Sequence, residues 1–452
     1  MLLHHARELF ALGLPIMISM AALIGLAVTD TLMTGLASTK DLAALAIGSG
    51  IYFLPTMLLV GLMSVVAPRI SWHLAAHRKD SVRHDCWQSI WLGLVVGGCA
   101  AVAVYFSLPL LDWLGLEPDV QEITNRYLLI VLFALPLVGA GQGLRSTIDG
   151  LGYPALNMWV SIAALLLNGL LDYLFVFGKA GFPKLGAQGC AIATLFVVIL
   201  QTLAPVLIAR LHPKLKPYVL FDRIDWPNFI TIKRLLVLGV PAAVAITLEE
   251  GFFASSSFLV APMGTIELAT HQILLNIAMM ALVFPIALGQ AASILIGQEL
   301  GRENPHGAYS QSWIFMGLLL LLMMLCGLGL YLGRAGLVSL FTEDAAVIAM
   351  AASILVLVSF QLLVDGLQIG SNIALKGYQD TFIPALCQVF SYWCVGFPLA
   401  WWLSRTDSFG SSPGVRGVWI ALFTGLAVAA VLGVSRLAFV SREFASGRRQ
   451  LR

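Results

Sequence analysis

The stretch 235–266, LLVLGVPAAVAITLEEGFFASSSFLVAPMGTI, decides the fold class of this chain. Two carboxylates, Glu249 and Glu250, stand at its centre, with 14 uncharged residues before them and 16 after them. About 20 consecutive apolar residues are enough for a helix to cross the hydrocarbon core of a bilayer. A charge at the centre of such a helix costs roughly 2.5–3.5 kcal/mol on insertion scales. The stretch therefore predicts a membrane helix that carries an ion or substrate site.

The composition of the whole chain agrees with a membrane protein. Of its 452 residues, 59% are hydrophobic and 11% are charged, and the mean hydropathy is +0.90. A soluble globular chain carries about 25% charged residues. So few charges cannot cover a surface that faces water. Because the sequence also shows no strand pattern, we expect an all-α integral membrane protein.

Twelve apolar segments are long enough to be transmembrane helices. They are 10–34, 46–68, 86–111, 126–148, 157–178, 187–209, 235–262, 268–296, 308–333, 346–374, 381–403 and 415–437. With the N-terminus in the cytoplasm, 19 of the 26 Lys and Arg residues fall on the inner side and 7 on the outer side. Cytoplasmic loops carry an excess of Lys and Arg. We therefore expect both termini in the cytoplasm, with a short basic tail at the C-terminus.

The two halves of the chain resemble each other. The motif LGLP at 12–15 matches LGVP at 238–241, and Gly-Tyr at 152–153 matches Gly-Tyr at 377–378. Each half holds six predicted spans, an even number, so both halves enter the membrane from the same side. Such a parallel repeat is related by a pseudo-twofold axis along the membrane normal.

The repeat predicts the domain organisation. We expect a six-helix N-terminal lobe at 1–209, a cytoplasmic linker at 210–234 and a six-helix C-terminal lobe at 235–452. Transporters built from such repeats alternate access by moving the two bundles around a central site.

Two further acids lie within predicted spans, Asp30 in the first and Asp365 in the tenth. Neither these acids nor Glu249 has a basic residue within one helical turn. A carboxylate in a low dielectric without a cation tends to take up a proton. The three acids are therefore suited to bind H⁺ or the hard cation Na⁺. The alternative is that each is neutral and hydrogen-bonded in a helix interface.

The adjacent acids Glu249 and Glu250 cannot share one small site. Neighbouring residues of an α-helix point about 100° apart. The charge pattern alone does not rank the two.

Several amides and one more acid could add to a cavity or form interhelical hydrogen bonds. Asn168 and Asp172 are spaced i, i+4 and share a helix face, as do Gln272 and Asn276. Gln361 lies one turn before Asp365. These five positions, together with Glu250, are secondary candidates.

Six cysteines lie mostly within apolar runs, with no CxxC and no Cys/His zinc spacing. We expect them to be small buried apolar side chains without a disulfide or metal role.

The chain resembles the multidrug and toxic compound extrusion (MATE) family, and its NorM-like branch in particular. The opening segments LGLPIMIS, VTDTLMTG and DLAALAIG look like the family's opening pattern. The segment NGLLDYLFVFGKAGFPKLGAQGCAIAT, at 168–194, is similar to the family's fifth and sixth spans, and ALKGYQDT, at 374–381, to the exit of its tenth. The resemblance covers nearly the whole chain.

The resemblance implies twelve helices in two lobes and efflux of amphipathic cationic compounds coupled to Na⁺ or H⁺. It places the coupling cation at Glu249 and Asp365, so that a bound Na⁺ would lie there, and a proton or substrate role at Asp30. Two positions depart from the family pattern. Glu250 stands where a small residue is commoner, and Gln361 where some members carry a Tyr.

Other functions fit the sequence less well. A lipid-linked precursor flippase of the same superfamily would need cationic residues for a pyrophosphate, whereas the predicted spans carry acids. An intramembrane enzyme is disfavoured because HExxH, paired-Asp and Ser/His arrangements are absent, and ATP-driven pumping because no GxxxxGK[ST] loop occurs. We expect no cofactor and no nucleic-acid partner, and a monomer in the inner membrane of a bacterium.

Overall fold

The computed structural model describes residues 2–405 and 414–450, and its regular structure there is helical throughout. Arg452, the last residue of the predicted tail, lies outside the described residues. The fifteen α-helices of the described chain are α1 (Leu2–Ala37), α2 (Thr39–Met63), α3 (Val66–Ala75), α4 (Lys79–Ser107), α5 (Pro118–Val131), α6 (Ala134–Gly150), α7 (Pro154–Phe177), α8 (Ala187–Leu211), α9 (Phe229–Val260), α10 (Thr265–Gly301), α11 (Pro305–Ser339), α12 (Ala345–Gly377), α13 (Phe382–Val389), α14 (Phe397–Leu403) and α15 (Gly414–Ala445).

The number of membrane spans agrees with the sequence. Within the described residues, eleven helical segments are long and apolar enough to cross a membrane. The pair α5 and α6, bent by 43°, supplies a twelfth if it counts as one span. The all-α membrane class is confirmed.

The predicted continuous span at 126–148 is wrong in one respect, because the helix breaks there between α5 and α6. Proline has no N–H and clashes with the carbonyl four residues earlier. For Pro136 that carbonyl belongs to Leu132, where α5 has just ended. The carbonyl of Leu132 accepts a tighter bond from the N–H of Leu135, at 3.3 Å. The break lies where the proline removes a backbone donor, whereas five other prolines, such as Pro15 and Pro241, stay within continuous helices.

Two more spans are irregular next to a proline. Between α2 and α3 the chain breaks at Ser64, four residues before Pro68. Between α13 and α14, the segment Phe390–Gly396 is π-helical, and Pro398 follows it. Single π-helical turns within α-helices occur frequently at functional sites.

The chain divides into two compact units. One contains Met1–Leu14 and Val244–Arg452, and the other contains Pro15–Ala243. The chain passes from one unit to the other within α1 and within α9, next to the repeat-related Pro15 and two residues after Pro241. The lobe boundaries inferred from the sequence stay a prediction.

In the unit Pro15–Ala243, α4 and α6 cross at very short range. A Cβ added to Gly93 would lie 2.3 Å from the carbonyl oxygen of Gly139, and one added to Gly97 would lie 2.4 Å from that of Leu135. Small residues at a helix crossing let backbones approach closely, which is a common way to pack membrane helices. The same unit includes the loop 212–228, which is held to α4 by hydrogen bonds from Trp87 to the carbonyl of Leu220 and from Trp91 to that of Asp225.

In the other unit, α9, α10, α12 and α15 enclose an apolar core. Its largest fully buried side chains include Phe252, Tyr392 and Trp419. Large apolar side chains such as Leu36, Phe106 and Phe258 are instead more than 70% exposed on the outside of the two units. An apolar exterior with polar groups inside suits a lipid solvent.

We expect Gly93→Ala to destabilise the protein and Gly98→Ala to leave its stability unchanged or raise it. Alanine is the better helix former at both positions, by about 1 kcal/mol. At Gly93 the new methyl group meets the backbone of α6, whereas nothing lies within 4 Å of the Cβ position of Gly98. Overpacking of this kind costs about 1–3 kcal/mol. Thermal unfolding of the two purified variants in detergent checks this, and an equal melting temperature for both would contradict the close crossing.

Candidate functional site

Glu249, on α9, lies among hydrogen-bond donors from the eleventh span. Tyr392 donates its hydroxyl proton to Oε1 of Glu249 at 3.2 Å, and Nε2 of Gln388 donates to Oε2 at 3.4 Å. Glu249 is half-buried, Gln388 is buried and Tyr392 is fully buried. Each carboxylate oxygen therefore has one neutral donor, although an ionised oxygen can accept two or more hydrogen bonds. Room remains at the carboxylate for a proton or a cation.

The π-helical segment positions Tyr392. Its ring stacks on Phe252, with centroids 5.2 Å apart and planes 7° from parallel. Nε1 of Trp393 donates to the carbonyl of Leu248 at 3.2 Å, which ties the same segment to α9 beside Glu249. The irregular turn before Pro398 thus brings a phenol and an indole to one helix face.

Asp365, on α12, belongs to the same cluster. It is 3% exposed, and its carboxyl interacts electrostatically with Glu249 and is hydrogen-bonded by Gln361. The side-chain amide oxygen of Gln361, Oε1, is buried and accepts no hydrogen bond from the described residues. The two acids and this oxygen supply several hard ligands within one cluster.

A basic residue also acts on this cluster. Lys376 lies in the last turn of α12, which continues to Gly377, and its ammonium charge interacts with Glu249. In the chain, Lys376 lies more than 100 residues after Glu249, and the nearest acid in sequence is Asp380. The sequence places no basic residue within one helical turn of Glu249, and this one comes from another helix, α12.

Glu250 follows Glu249 on α9 and leaves the helix about 100° from it, and its negative charge acts on Glu249. It is half-buried, and within the described chain no side chain donates a hydrogen bond to it.

Asp30, on α1, forms a second carboxylate site in the unit Pro15–Ala243. Its Oδ1 accepts a hydrogen bond from Nδ2 of Asn168 at 2.9 Å, and its Oδ2 accepts one from the hydroxyl of Thr194 at 3.5 Å. Asn168 lies on α7 and Thr194 on α8, so three helices meet at this acid.

Asp172 lies beside Asp30 and is fully buried. Neither of its carboxylate oxygens receives a hydrogen bond from the described residues, and the side-chain oxygen of Asn168 is also without a donor. Cys190, on α8, is equally buried. One oxygen of each acid and the sulfur of Cys190 all lie within 4.8 Å of one another. Two adjacent carboxylates do not both stay ionised without a cation between them, so this pair is suited to hold one.

The structure brings together Asp30, Asn168 and Asp172 in one unit, and Glu249, Asp365 and Gln361 in the other. Gln272 and Asn276 are both exposed on α10, and no hydrogen bond from the described residues joins either of them to these clusters. Gln272 donates instead to Ser257 on α9 at 3.2 Å.

Sequence reasoning missed five neighbours, which are Thr194, Cys190, Lys376, Gln388 and Tyr392. For Gln388 and Tyr392 a signal was present, since the two polar groups are spaced i, i+4 within an apolar span. The expectation for the cysteines is wrong for Cys99 and Cys394, which are exposed; all six are free thiols.

Both the sequence and the fold of this chain are similar to those of known proteins. The sequence model of the MatE family matches residues 15–174 and 241–402. The probable multidrug resistance protein NorM of Mannheimia succiniciproducens is 33% identical over 97% of this chain and 94% of its own length. The multidrug resistance protein PmpM of Pseudomonas aeruginosa is 31% identical over 97% of this chain and 92% of its own length.

The chain belongs to the MATE family. It is a multi-pass membrane transporter and not an enzyme, as the sequence predicted. The crystal structure of the eukaryotic MATE transporter AtDTX14 has the same fold, with a TM-score of 0.87, 20% identity and 99% coverage of both chains. The matched ranges of the MATE model include Asp30, Asn168 and Asp172 in one part and Glu249 and Asp365 in the other.

We expect Tyr392 and Glu249 of this MATE protein to be energetically coupled. Tyr392→Phe removes the hydroxyl that donates to Glu249 and keeps the ring stacked on Phe252. Glu249→Gln removes the charge that accepts this hydrogen bond. Hydrogen bonds to charged groups contribute about 1.5–3 kcal/mol. A double-mutant cycle on unfolding should give a coupling of about 0.5–3 kcal/mol. Tyr105→Phe, on the exposed surface of α4, is the matched control and should show no coupling to Glu249→Gln. Additive effects for Tyr392 and Glu249 would argue against this contact.

Proposed function

We propose that this protein is a multidrug antiporter that exports amphipathic cationic compounds by alternating access, in exchange for an inward-moving monovalent cation, H⁺ or Na⁺. The observation that carries the proposal is the pair of partly satisfied carboxylate sites, one in each compact unit. The relatives named as multidrug resistance proteins support the cargo class.

The Glu249 site has the chemistry of a coupling site. A cation that binds between Glu249 and Asp365 neutralises two acids that face each other in a low dielectric. Tyr392 and Gln388 orient Glu249, and the orphan oxygen of Gln361 adds a hard ligand for Na⁺. The ammonium of Lys376 competes with the bound cation for the charge of Glu249. Release of the cation is therefore easier than it would be from two isolated acids.

The Asp30 site serves the same exchange from the other unit. Asp30 and Asp172 have too few donors to be ionised together, and Asn168 and Thr194 hold Asp30 in place. Asp30 is only partly buried, so a proton or a cationic substrate can reach it, whereas Asp172 lies behind it.

Coupling requires that cation and drug differ in their affinities for the two access states. Binding of the cation removes negative charge from a site, which weakens its attraction for a cationic drug and favours release. One charge that moves down a potential of 100 mV supplies about 2.3 kcal/mol before any concentration gradient.

The flippase alternative is supported by one observation only, the presence of Lys376 at the Glu249 cluster. A single ammonium that already interacts with Glu249 is a poor receptor for a pyrophosphate, which carries several negative charges. The antiporter accounts for the acids in both units.

The proposal includes a monomer in the inner membrane of a bacterium, with both termini in the cytoplasm. The orientation can be tested by fusing to the C-terminus a fluorescent reporter that folds only in the cytoplasm. A fusion without fluorescence would place the C-terminus on the outer side.

We expect Glu249→Gln and Asp365→Asn each to abolish drug resistance in a drug-hypersensitive bacterium, because each removes a cation-binding carboxylate. Glu343→Gln is the matched control, since it makes the same change at an exposed acid between α11 and α12, outside the cluster, and it should retain most resistance. Immunoblots of the membrane fraction must show equal amounts of all three variants. Full resistance in both site variants would refute the coupling mechanism.

In proteoliposomes, we expect ethidium transport to respond to an imposed gradient of H⁺, of Na⁺ or of both, and to stop when the gradients are dissipated. The measurement varies Na⁺ at fixed pH and then pH at fixed Na⁺. Transport by the folded protein that ignores both gradients would exclude antiport. The Asp365→Asn variant is the negative control for passive leakage.

A further inference from the structure

We propose that Asp30, Asp172 and Cys190 form a binding site for one thiophilic divalent cation, Zn²⁺ or Cd²⁺, and that such an ion blocks export by occupying the place of the coupling cation. The blocking effect rests on the proposed antiport function, whereas the binding itself does not.

The ligand atoms come from three helices. The oxygens of Asp30 and Asp172 and the sulfur of Cys190 lie within 4.8 Å of one another. Zinc binds thiolate sulfur at about 2.3 Å and carboxylate oxygen at about 2.0–2.2 Å, in a tetrahedral shell. Ligand atoms up to 4.8 Å apart are slightly farther from one another than in such a shell. A small rotation of the side chains would bring all three within bonding distance of one ion. Cd²⁺ is larger and needs less adjustment.

Unpartnered buried groups point to a missing ligand. Asp172 is fully buried, and neither of its oxygens receives a hydrogen bond from the described residues. The side chain of Asn168 is 1% exposed, and its oxygen is equally without a donor because its amide group faces Asp30. Buried polar atoms without a partner are uncommon in native structures.

The backbone holds Cys190 towards this site. A Cβ on the preceding residue, Gly189, would lie 2.6 Å from the carbonyl carbon of Phe175 on α7. The glycine therefore allows α8 to pack directly on the backbone of α7, one turn from Asp172. Asp30 is the half-exposed member of the set and provides the route by which an ion enters.

The ligand set favours soft ions. A thiolate selects Zn²⁺ or Cd²⁺, whereas Mg²⁺ prefers oxygen ligands and an octahedral shell. Binding releases protons, because the thiol of Cys190 gives its proton to solvent as the metal–sulfur bond forms. The resulting site holds up to three negative ligands around a charge of +2.

The ordinary explanation is that Asp30 and Asp172 share one proton in a hydrogen bond and that the thiol of Cys190 donates another to Asp30. That arrangement needs no metal affinity, so binding measurements separate the two explanations.

The test is titration of the purified full-length protein with Cd²⁺, followed by the ultraviolet charge-transfer band of a cadmium–thiolate bond and by calorimetry. The wild-type protein should bind one Cd²⁺ with this band, and Mg²⁺ should give no signal. Loss of a residue that only hydrogen-bonds to a metal ligand already lowers metal affinity about 10–100-fold. Cys190→Ser should therefore lose the band and at least about tenfold in affinity.

Two variants make the result specific. Asp172→Asn keeps all six thiols and should lose the band as well. Cys99→Ser removes an exposed thiol on α4, far in sequence from the site, and should keep it. A band that persists in Cys190→Ser or in Asp172→Asn, or that is absent from the wild-type protein, would overturn the site.

A transport assay then tests the block. Cd²⁺ should inhibit ethidium transport by the wild-type protein and by the Cys99→Ser variant in proteoliposomes. Cd²⁺ that binds through Cys190 but leaves transport unchanged would refute the block and keep the site. Failure of the antiport function itself would show separately, as transport that ignores both ion gradients before any metal is added.

Discussion

The structure depends on one constraint, which is that a polar group inside a membrane protein must find its partner within the protein. The buried groups left without a partner in the described residues include oxygens of Asp172, Asn168 and Gln361, which lie at the two sites. Glu249 has one neutral donor for each oxygen, and Asp172 has none among the described residues. In water such deficits would be filled by solvent at little cost. In a low dielectric they leave an affinity for a proton or a cation, which a transporter coupled to an ion needs.

The same constraint applies to backbone groups next to prolines in the spans. Pro68 and Pro136 each remove the donor for a carbonyl four residues earlier, and the helix breaks at that carbonyl. Near Pro398 the chain responds differently, with the π-helical segment Phe390–Gly396 that carries Tyr392 to Glu249. A defect in backbone hydrogen bonding thus becomes a means of placing a side chain.

The sequence predicted what depends on local pattern and missed what depends on packing. Apolar segments of about 20 residues predicted the spans, and the single acids within them predicted Asp30, Glu249 and Asp365 as candidates, because a charge in such a segment is rare. Lys376 could not be assigned to Glu249 from sequence, since the two lie on different helices more than 100 residues apart. Cys190 looked like an apolar core residue, and only the fold shows it beside two carboxylates.

The two sites differ in a way that the internal repeat does not predict. Repeat-related helices α1 and α9 each carry an acid, but Asp30 is paired with a second acid, an amide and a thiol, whereas Glu249 is served by a phenol and an amide near an ammonium. In the proposed antiport, a cation at Glu249 competes with Lys376, whereas a cation at Asp30 meets only acids and neutral donors among the described residues. The Asp30 site should therefore hold its cation more tightly. An exchanger with one tight and one weak cation site can keep the first occupied over a range of conditions and let the second follow the gradient.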